Sequence, residues 1–433
     1  MAGAEAAKQL TERGIPVVVF DQNTLPYGKI EDGLPKWHSK LRDKEENRIN
    51  KKLAHPLVTY VPSTQLGKEV DFKDVVEKWG FSAVLLATGA WKDRPLPIEG
   101  IGAYVNKGLY YQNPFIYWYN HFHEPNFAGQ TYETPDNTTI IGGGLASLDV
   151  AKAIMFQNVE RALKERGYQE NMFTLDRSIA KVLDKHNLKL ADLGLKGCTI
   201  YYRRRIKDMP LSTQVTDTPA ALLKAQKIQE KILKNYQSKY LFNIQPCNIP
   251  VNTIVDNDQL VGLQMQRTAI KNNKVVPILN SEYEVRSSLV ISSIGSIPEP
   301  IAGIPMQWQT YETHAHELCR IEGYANAFAL GNAVTGRGNI LESLKHSRAI
   351  STTLAEQSLT NKELQQKIQS KEQVVSEQIQ QIIPILSPVQ EQTYQAIQKK
   401  VKHLQKQAQY NGDYQAWVVQ KLPVRLESML GGH

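Results

Sequence analysis

Cysteine is scarce in this sequence. Cys198, Cys247 and Cys319 are the three in 433 residues, and no two form a C-x-x-C pair. A disulfide framework, a redox dithiol, an iron–sulfur cluster and a cysteine-based zinc site are all left without support. The three read as reduced, buried, structural thiols, as in a reducing compartment. Long apolar runs are missing as well: none reaches the ~18–20 residues that span a bilayer. The opening lacks the basic and apolar regions of a secretory leader. A cytoplasmic protein with no membrane partner is the expectation. Strong charge is absent too. Lys and Arg number 51 against 43 Asp and Glu, a formal +8. That excess suits anionic ligands or an acidic partner and is no nucleic-acid signature. His121-Phe122-His123 reads as an aromatic-rich surface segment, so no metal is expected.

What is present begins with length: 433 residues exceed one compact core and imply two or three domains. The chain opens on a small-residue helix with Ala2, Ala6 and Leu10 on one face and Gly14 to end it. Ile15 to Asp21 then reads as a buried strand tipped by an acid. Helix, tight turn, apolar strand, acid is the second half of a βαβ dinucleotide unit, with Asp21 placed to accept hydrogen bonds from a ribose hydroxyl. Gly3 matches the last glycine of G-x-G-x-x-G. The first strand and first two glycines are not in the sequence, so the expectation sets Met1 inside the turn, with the natural chain continuing upstream.

A second fingerprint is complete. Thr138 to Ile141 is an apolar strand, Gly142 and Gly144 take the first two glycine positions and Ser147 the third. Gly142 permits the tight turn, Gly144 lets a pyrophosphate approach the backbone, and Ser147 is small enough for helix–strand packing. Leu145 and Ala146 open the helix, with Leu148, Ala151, Ala153 and Ile154 among its apolar positions. The next strand, Cys198 to Tyr202, comes late, after a helical, charged insertion from Asn158 to about Leu195. It ends in Arg203-Arg204-Arg205. An acid at this tip would favour NAD; arginines favour the 2′-phosphate of NADP through bidentate, charge-assisted hydrogen bonds. Arg203 and Arg204 are the candidate contacts.

Two further apolar strands end at glycine: Phe81 to Ala90, with Ala87-Thr88-Gly89, and Ser288 to Gly295. Each follows one fingerprint, and a strand that stops at Gly lets backbone pass close to a bound dinucleotide. Asn326 to Asn332 repeats the pattern with Gly331-Asn332. Gly338, Asn339 and Ile340 then lead into a helix from Leu341 to about Leu354, whose free N–H groups suit negative charge on a reduced flavin edge.

Taken in order, these motifs resemble the flavoprotein reductases that include the adrenodoxin reductase-like ferredoxin–NADP reductases and the glutamate synthase small subunit. The residues that carry it are Gly3 with Asp21, Pro26-Tyr27-Gly28 through Gly33-Leu34-Pro35, Ala87-Thr88-Gly89, Gly142 to Ala151, Tyr202 to Pro210, Ile294-Gly295 and Gly331-Asn332. The flavin-edge segment departs from the Gly-Pro-Thr-Gly of adrenodoxin reductases. The resemblance implies an α/β fold with two Rossmann-like domains. An FAD domain, residues 1–126 and 303–359, would be split by an NADP domain, 127–302. It implies the cofactors FAD and NADP, hydride transfer from NADPH to FAD, and an electron-carrier protein such as ferredoxin as partner. No side-chain proton donor is expected, since this chemistry depends on orientation. A flavoprotein acting directly on a small metabolite, and a regulatory remnant that has lost FAD, are the alternatives.

From about Thr360 the composition turns Gln- and Lys-rich, a helical C-terminal extension over 360–433. Tyr394, Ile397, Val401, Leu404 and Ala408 make one apolar stripe. Pro384 and Pro388 split the run into two helices that are expected to dock on the body of the protein.

Overall fold

A computed structural model describes residues 1–211, 219–314, 317–333 and 359–430. Its main elements begin with α1 (Ala2–Thr11), β1 (Val17–Phe20), α2 (Ser39–Leu53), β2 (Val58–Val61) and β3 (Val84–Leu86). Next come β4 (Leu109–Tyr111), α3 (Gln112–His121), β5 (Thr138–Gly142), α4 (Leu145–Glu165), β6 (Cys198–Tyr202), α5 (Pro219–Tyr240) and β7 (Asn243–Pro246). β8 (Asn248–Asp256), β9 (Gln259–Lys271), β10 (Lys274–Arg286), β11 (Leu289–Ser293) and β12 (Ala327–Ala329) follow. The tail supplies α6 (Leu359–Ile382), α7 (Glu391–Gln407) and α8 (Tyr414–Lys421). The residues fall into two units: 1–34, 38–92 and 297–424 in the first, and 35–37, 93–296 and 425–433 in the second. Among the described residues, no helix is long and apolar enough to cross a membrane.

In the second unit, β4-β11-β5-β6-β7 form a wholly parallel sheet. Parallel strands need crossover connections, and α4 supplies the one between β5 and β6. Its Ala151, Ala153, Ile154 and Phe156 are fully buried. Small and branched residues along that face let the helix lie close to the sheet. Lys152 is buried beside them. Its Nζ donates to Asp176 at 2.6 Å and sits 4.5 Å from the Trp37 ring and 4.7 Å from the Tyr240 ring. The insertion after Asn158 is helical, as its sequence implied, with short helices at Met172–Arg177 and Ile179–Lys185. β8, β9 and β10 make a separate antiparallel meander. Its two turns, Asn257-Asp258 and Asn272-Asn273, have φ of 47°, 61°, 48° and 58°, the left-handed pair that tight hairpins require.

His121 departs from its surface reading. It is only 7% exposed, at the end of α3, with Nδ1 2.7 Å from a Glu124 carboxylate oxygen.

In the first unit, β1 pairs in parallel with β2, and β3 with β12. The strands predicted at 15–21 and 81–90 are shorter in the structure, four and three residues. The tail is part of this unit. Ile397, Val401 and Leu404 of the predicted stripe are buried with Val61, Val70 and Val75. Tyr414 and Trp417 pack with Tyr60 and Tyr27. Polar contacts fix the register. Gln378 Nε2 donates to the Ala329 carbonyl at 3.0 Å, Gln405 Nε2 to the Tyr60 carbonyl at 2.8 Å and Trp417 Nε1 to the Thr24 carbonyl at 2.9 Å.

Glu372 on α6 ties the tail to α2 through ion pairs to Arg48 and Lys52. Burial raises the carboxyl's proton affinity, but the hydrogen bonds and charges of Lys52 and Arg48 overcome that and hold it below its ordinary value of 4.5. Its stabilisation is therefore present above about pH 4.5 and is lost as pH falls through the lowered folded value. Glu372→Ala should lower stability by about 3 kcal/mol at pH 7, with the gap to the parent chain closing below about pH 4.5. Urea unfolding measures both; a gap that does not change with pH would contradict the ion-pair account.

Candidate functional site

The parallel sheet of the second unit reverses its strand order at β5. β6 and β7 lie on one side of it, β11 and β4 on the other. Crevices at the C-terminal ends of strands, at such a reversal, are where α/β sheets hold ligands. Here that position is occupied by Gly142, Gly143 and Gly144. Gly142 ends β5, and a Cβ on it would strike the Ser293 carbonyl of β11 and come within 2.6 Å of Ser147 Oγ. A Cβ on Gly143 would run into the ring of Tyr202 at the end of β6. Gly144 caps α4, and a Cβ there would meet nothing within 4 Å. Two of the three glycines are thus demanded by the protein's own packing. The third faces open space at the start of a 21-residue helix, α4.

Ser147 is the third-position residue of the fingerprint. Its Oγ accepts the Gly144 backbone N–H at 3.0 Å, and its own N–H donates to the Gly144 carbonyl at 3.0 Å. Leu145 and Ala146 open the first turn of α4, where backbone N–H groups have no intrahelical acceptor and the helix dipole is positive. That arrangement receives anions.

Because Tyr202 lies over Gly143, the arginines that follow it stand at the same end of the sheet. Their backbone is fixed: the Thr268 hydroxyl donates to the Arg203 carbonyl at 2.9 Å, and the Cys247 N–H to the Arg204 carbonyl at 3.0 Å. The side chains differ. Arg204 donates to the Asn273 carbonyl at 3.0 Å and lies 3.8 Å from Asp208. Arg205 pairs with Asp208 at 2.8 Å. Arg203 is exposed and has no side-chain partner among the described residues. Gly295, two residues past β11, has φ +103° and accepts the Arg94 N–H at 2.9 Å.

The first unit holds a cavity of about 1090 Å³. Gly3, Asp21, Gly28, Ala87, Thr88, Gly89, Gly331 and Asn332 all line it. The start of α1 is what draws them together. A Cβ on Gly3 would lie 3.4 Å from Ala87 Cβ, past the end of β3, and one on Gly331 would lie 2.9 Å from Ala2 Cβ. Gly89 and Gly331 have φ of +73° and +58°, a backbone shape that glycine adopts without strain. Thr88 Oγ1 is 3.4 Å from the Tyr311 hydroxyl. Asp21 follows β1, with Oδ1 accepting the Asn23 N–H at 2.8 Å. Burial pushes its carboxyl up to about 6, against the lowering effect of that hydrogen bond. A carboxyl so shifted on a cavity wall is a candidate ligand contact. Gly338, Asn339 and Ile340, and the helix predicted after them, lie outside the described residues.

Thr268 was not singled out by the sequence, and Tyr202 was named there as a strand end and part of the resemblance, not as a packing partner of Gly143. Tyr202 ends a strand, which says nothing of the glycine beneath it. Thr268 sits on the meander, whose Asn-rich turn pairs were the available signal.

The fold is of the α/β Rossmann-like type with a helical C-terminal extension, like that of Mycobacterium tuberculosis FprA in complex with NADPH. The TM-score is 0.62 at 17% identity, over 94% of this chain and 88% of that one. Residues 1–204 match the family described as pyridine nucleotide-disulphide oxidoreductase. The mitochondrial NADPH:adrenodoxin oxidoreductase of Arabidopsis thaliana is 22% identical over 329 residues, 67% of this chain and 64% of that protein. The NADPH glutamate synthase small chain of Bacillus subtilis is 24% identical over 253 residues, 57% of this chain and 49% of that protein. The chain spans from about half to just under two thirds of the length of these two curated relatives. Its sequence is thus similar to proteins named as NADPH:adrenodoxin oxidoreductase, NADPH glutamate synthase small chain and probable ferredoxin/ferredoxin–NADP reductase.

The two kinds of glycine separate in a test. Gly144→Val should leave thermal stability within about 0.5 kcal/mol and weaken dinucleotide binding at least tenfold. Gly142→Val should destabilise by about 3 kcal/mol or more. Calorimetry and NADPH titration read the two effects. Unchanged affinity in the Gly144 variant would remove that turn from the site.

Proposed function

We propose that this chain is an NADPH-dependent FAD oxidoreductase. NADPH binds the second unit, FAD binds the first, and electrons leave to a carrier protein such as ferredoxin. One observation carries the reading. The glycine turn after β5, open at Gly144, lies under Tyr202, and Tyr202 leads directly to Arg203, whose side chain has no partner among the described residues. A helix start for the pyrophosphate beside a free guanidinium for a 2′-phosphate is the donor set that NADPH needs and NADH does not.

The cavity of the first unit fits a flavin dinucleotide by the chemistry of its lining. Asp21 would accept from the ribose, the first turn of α1 would face the phosphates, and the backbone at Gly89 and Gly331 permits close approach. Its volume, about 1090 Å³, matches the upper end of the ~300–1,000 Å³ usual for ligand sites. FAD, when bound, supplies the two-electron acceptor for a hydride from NADPH and the means of passing electrons on. The chain's own part is to bind, orient and exclude water. No side chain here is required to move a proton.

Arg204 is shared with Asn273 and Asp208, so Arg203 should carry more of the 2′-phosphate selectivity. Arg203→Ala is expected to weaken NADPH about 10–100-fold, the loss of one charge-assisted contact, and to leave NADH unchanged. Arg204→Ala should do less. Isothermal titration with both nucleotides decides it. Equal losses for NADPH and NADH would sink the 2′-phosphate assignment.

A further inference from the structure

The turn after β6 is crowded with positive charge and contains a single acid. Arg203, Arg204, Arg205 and Lys207 stand against Asp208. The acid's backbone is held from two directions. The Tyr202 hydroxyl donates to the Asp208 carbonyl at 2.8 Å, and the Asp208 N–H donates to the Arg205 carbonyl at 2.9 Å. The residue whose ring closes over Gly143 therefore also fixes the place of this carboxylate.

Both carboxylate oxygens are in use. Arg205 meets them as a fork, Nε donating to Oδ2 at 2.8 Å and Nη2 to Oδ1 at 3.0 Å. Paired, charge-assisted bonds of this kind are the strong ones. Arg204 Nε lies 3.8 Å from Oδ2. Hydrogen bonds from Arg205, with its charge and that of Arg204, hold the carboxyl below its ordinary value of 3.8, so Asp208 is ionised at neutral pH. Arg204 is committed elsewhere too. Its Nη1 and Nη2 donate to the carbonyl and Oδ1 of Asn273, at 3.0 and 2.5 Å. Of the three arginines, Arg203 alone has no side-chain partner among the described residues.

We propose that Asp208 sets the strength of nucleotide discrimination at this strand tip: its fixed negative charge keeps Arg205 paired, offsets Arg204, and so limits how tightly a 2′-phosphate is gripped. The inference rests on the NADPH reading of the site. A 2′-phosphate is carried by NADPH and by NADP+ alike, so a contact to it tightens substrate and product equally. Uniform tightening does not speed hydride transfer, and it slows product release, a step that limits many enzymes. An acid locked into the arginine turn keeps both phosphorylated forms exchangeable. NADH and NAD+ have no such phosphate and gain nothing from its removal. Asp208 touches no reacting atom; it is a positioning residue that acts through the arginines.

Asp208→Asn tests this. The side chain keeps its size, and the Tyr202 bond survives because it is made to the backbone. The oxidised nucleotides serve as probes, since they bring no hydride to a flavin. By isothermal titration of the full chain, NADP+ should bind the variant about fivefold more tightly, the effect of one partly screened charge, with NAD+ unchanged. The gain should vanish in about 1 M sodium chloride, where the Debye length is about 3 Å. Asp208→Glu keeps the charge and should bring no gain. A merely structural acid would give losses for both nucleotides. Weaker or unchanged NADP+ binding in Asp208→Asn, or an equal gain for NAD+, therefore overturns the proposal. Arg203→Ala separates it from the reading beneath it. If that variant loses NADP+ and NAD+ alike, the 2′-phosphate reading falls and this proposal with it. If it loses NADP+ alone while Asp208→Asn brings no gain, the reading stands and this proposal falls.

Discussion

The second unit depends on one close approach. The Tyr202 ring lies where a Cβ on Gly143 would have to be, and the Ser293 carbonyl does the same to Gly142. These contacts draw the C-terminal ends of β5, β6 and β11 together and leave no room for side chains between them. What remains open is Gly144 and the first turn of α4. The site is thus defined by exclusion. Packing fills the space beside Gly142 and Gly143 and leaves it open at Gly144, and the strand tip that supplies the packing ring also supplies Arg203. Thr268 and Cys247 fix the backbone at Arg203 and Arg204, so the rotamer freedom of the Arg203 side chain is what a bound anion would have to order.

The first unit is organised around α1. Its first turn touches the ends of β3 and β12 through Gly3 and Gly331, while α6 of the tail lies alongside it. The tail is therefore structural in the plain sense. It covers hydrophobic surface on α1 and near β2 and donates to the backbone carbonyls of Ala329, Tyr60 and Thr24. The raised affinity of Asp21 for its proton is the counterpart, the result of burying a carboxyl on the cavity wall.

Much of this was legible in the sequence, for definite reasons. The fingerprint at Gly142 to Ser147 is local: strand, turn and helix are contiguous, and each residue type follows from a short-range demand. The tail stripe from Ile397 to Leu404 is a period, which needs no tertiary information. The illegible parts are long-range. Nothing near Tyr202 announces that it will lie on Gly143. Gln378 and Gln405 look like solvated residues in a Gln-rich tail until the carbonyls they meet are known. Lys152 in an apolar helix face looks like a misfit until Asp176, Trp37 and Tyr240 close around it. The meander was missed for another reason. Its turn signals, Asn257-Asp258 and Asn272-Asn273, lie between strands whose outer faces are polar, so their alternation is weak.

The account rests on two dinucleotide sites in one chain, with electrons entering from the nicotinamide side. The most direct measurement is the visible absorbance spectrum of the purified protein, before and after anaerobic addition of NADPH and, separately, NADH. A flavin spectrum that bleaches with NADPH and much less with NADH is the predicted result. A colourless protein that remains colourless after incubation with FAD would contradict it.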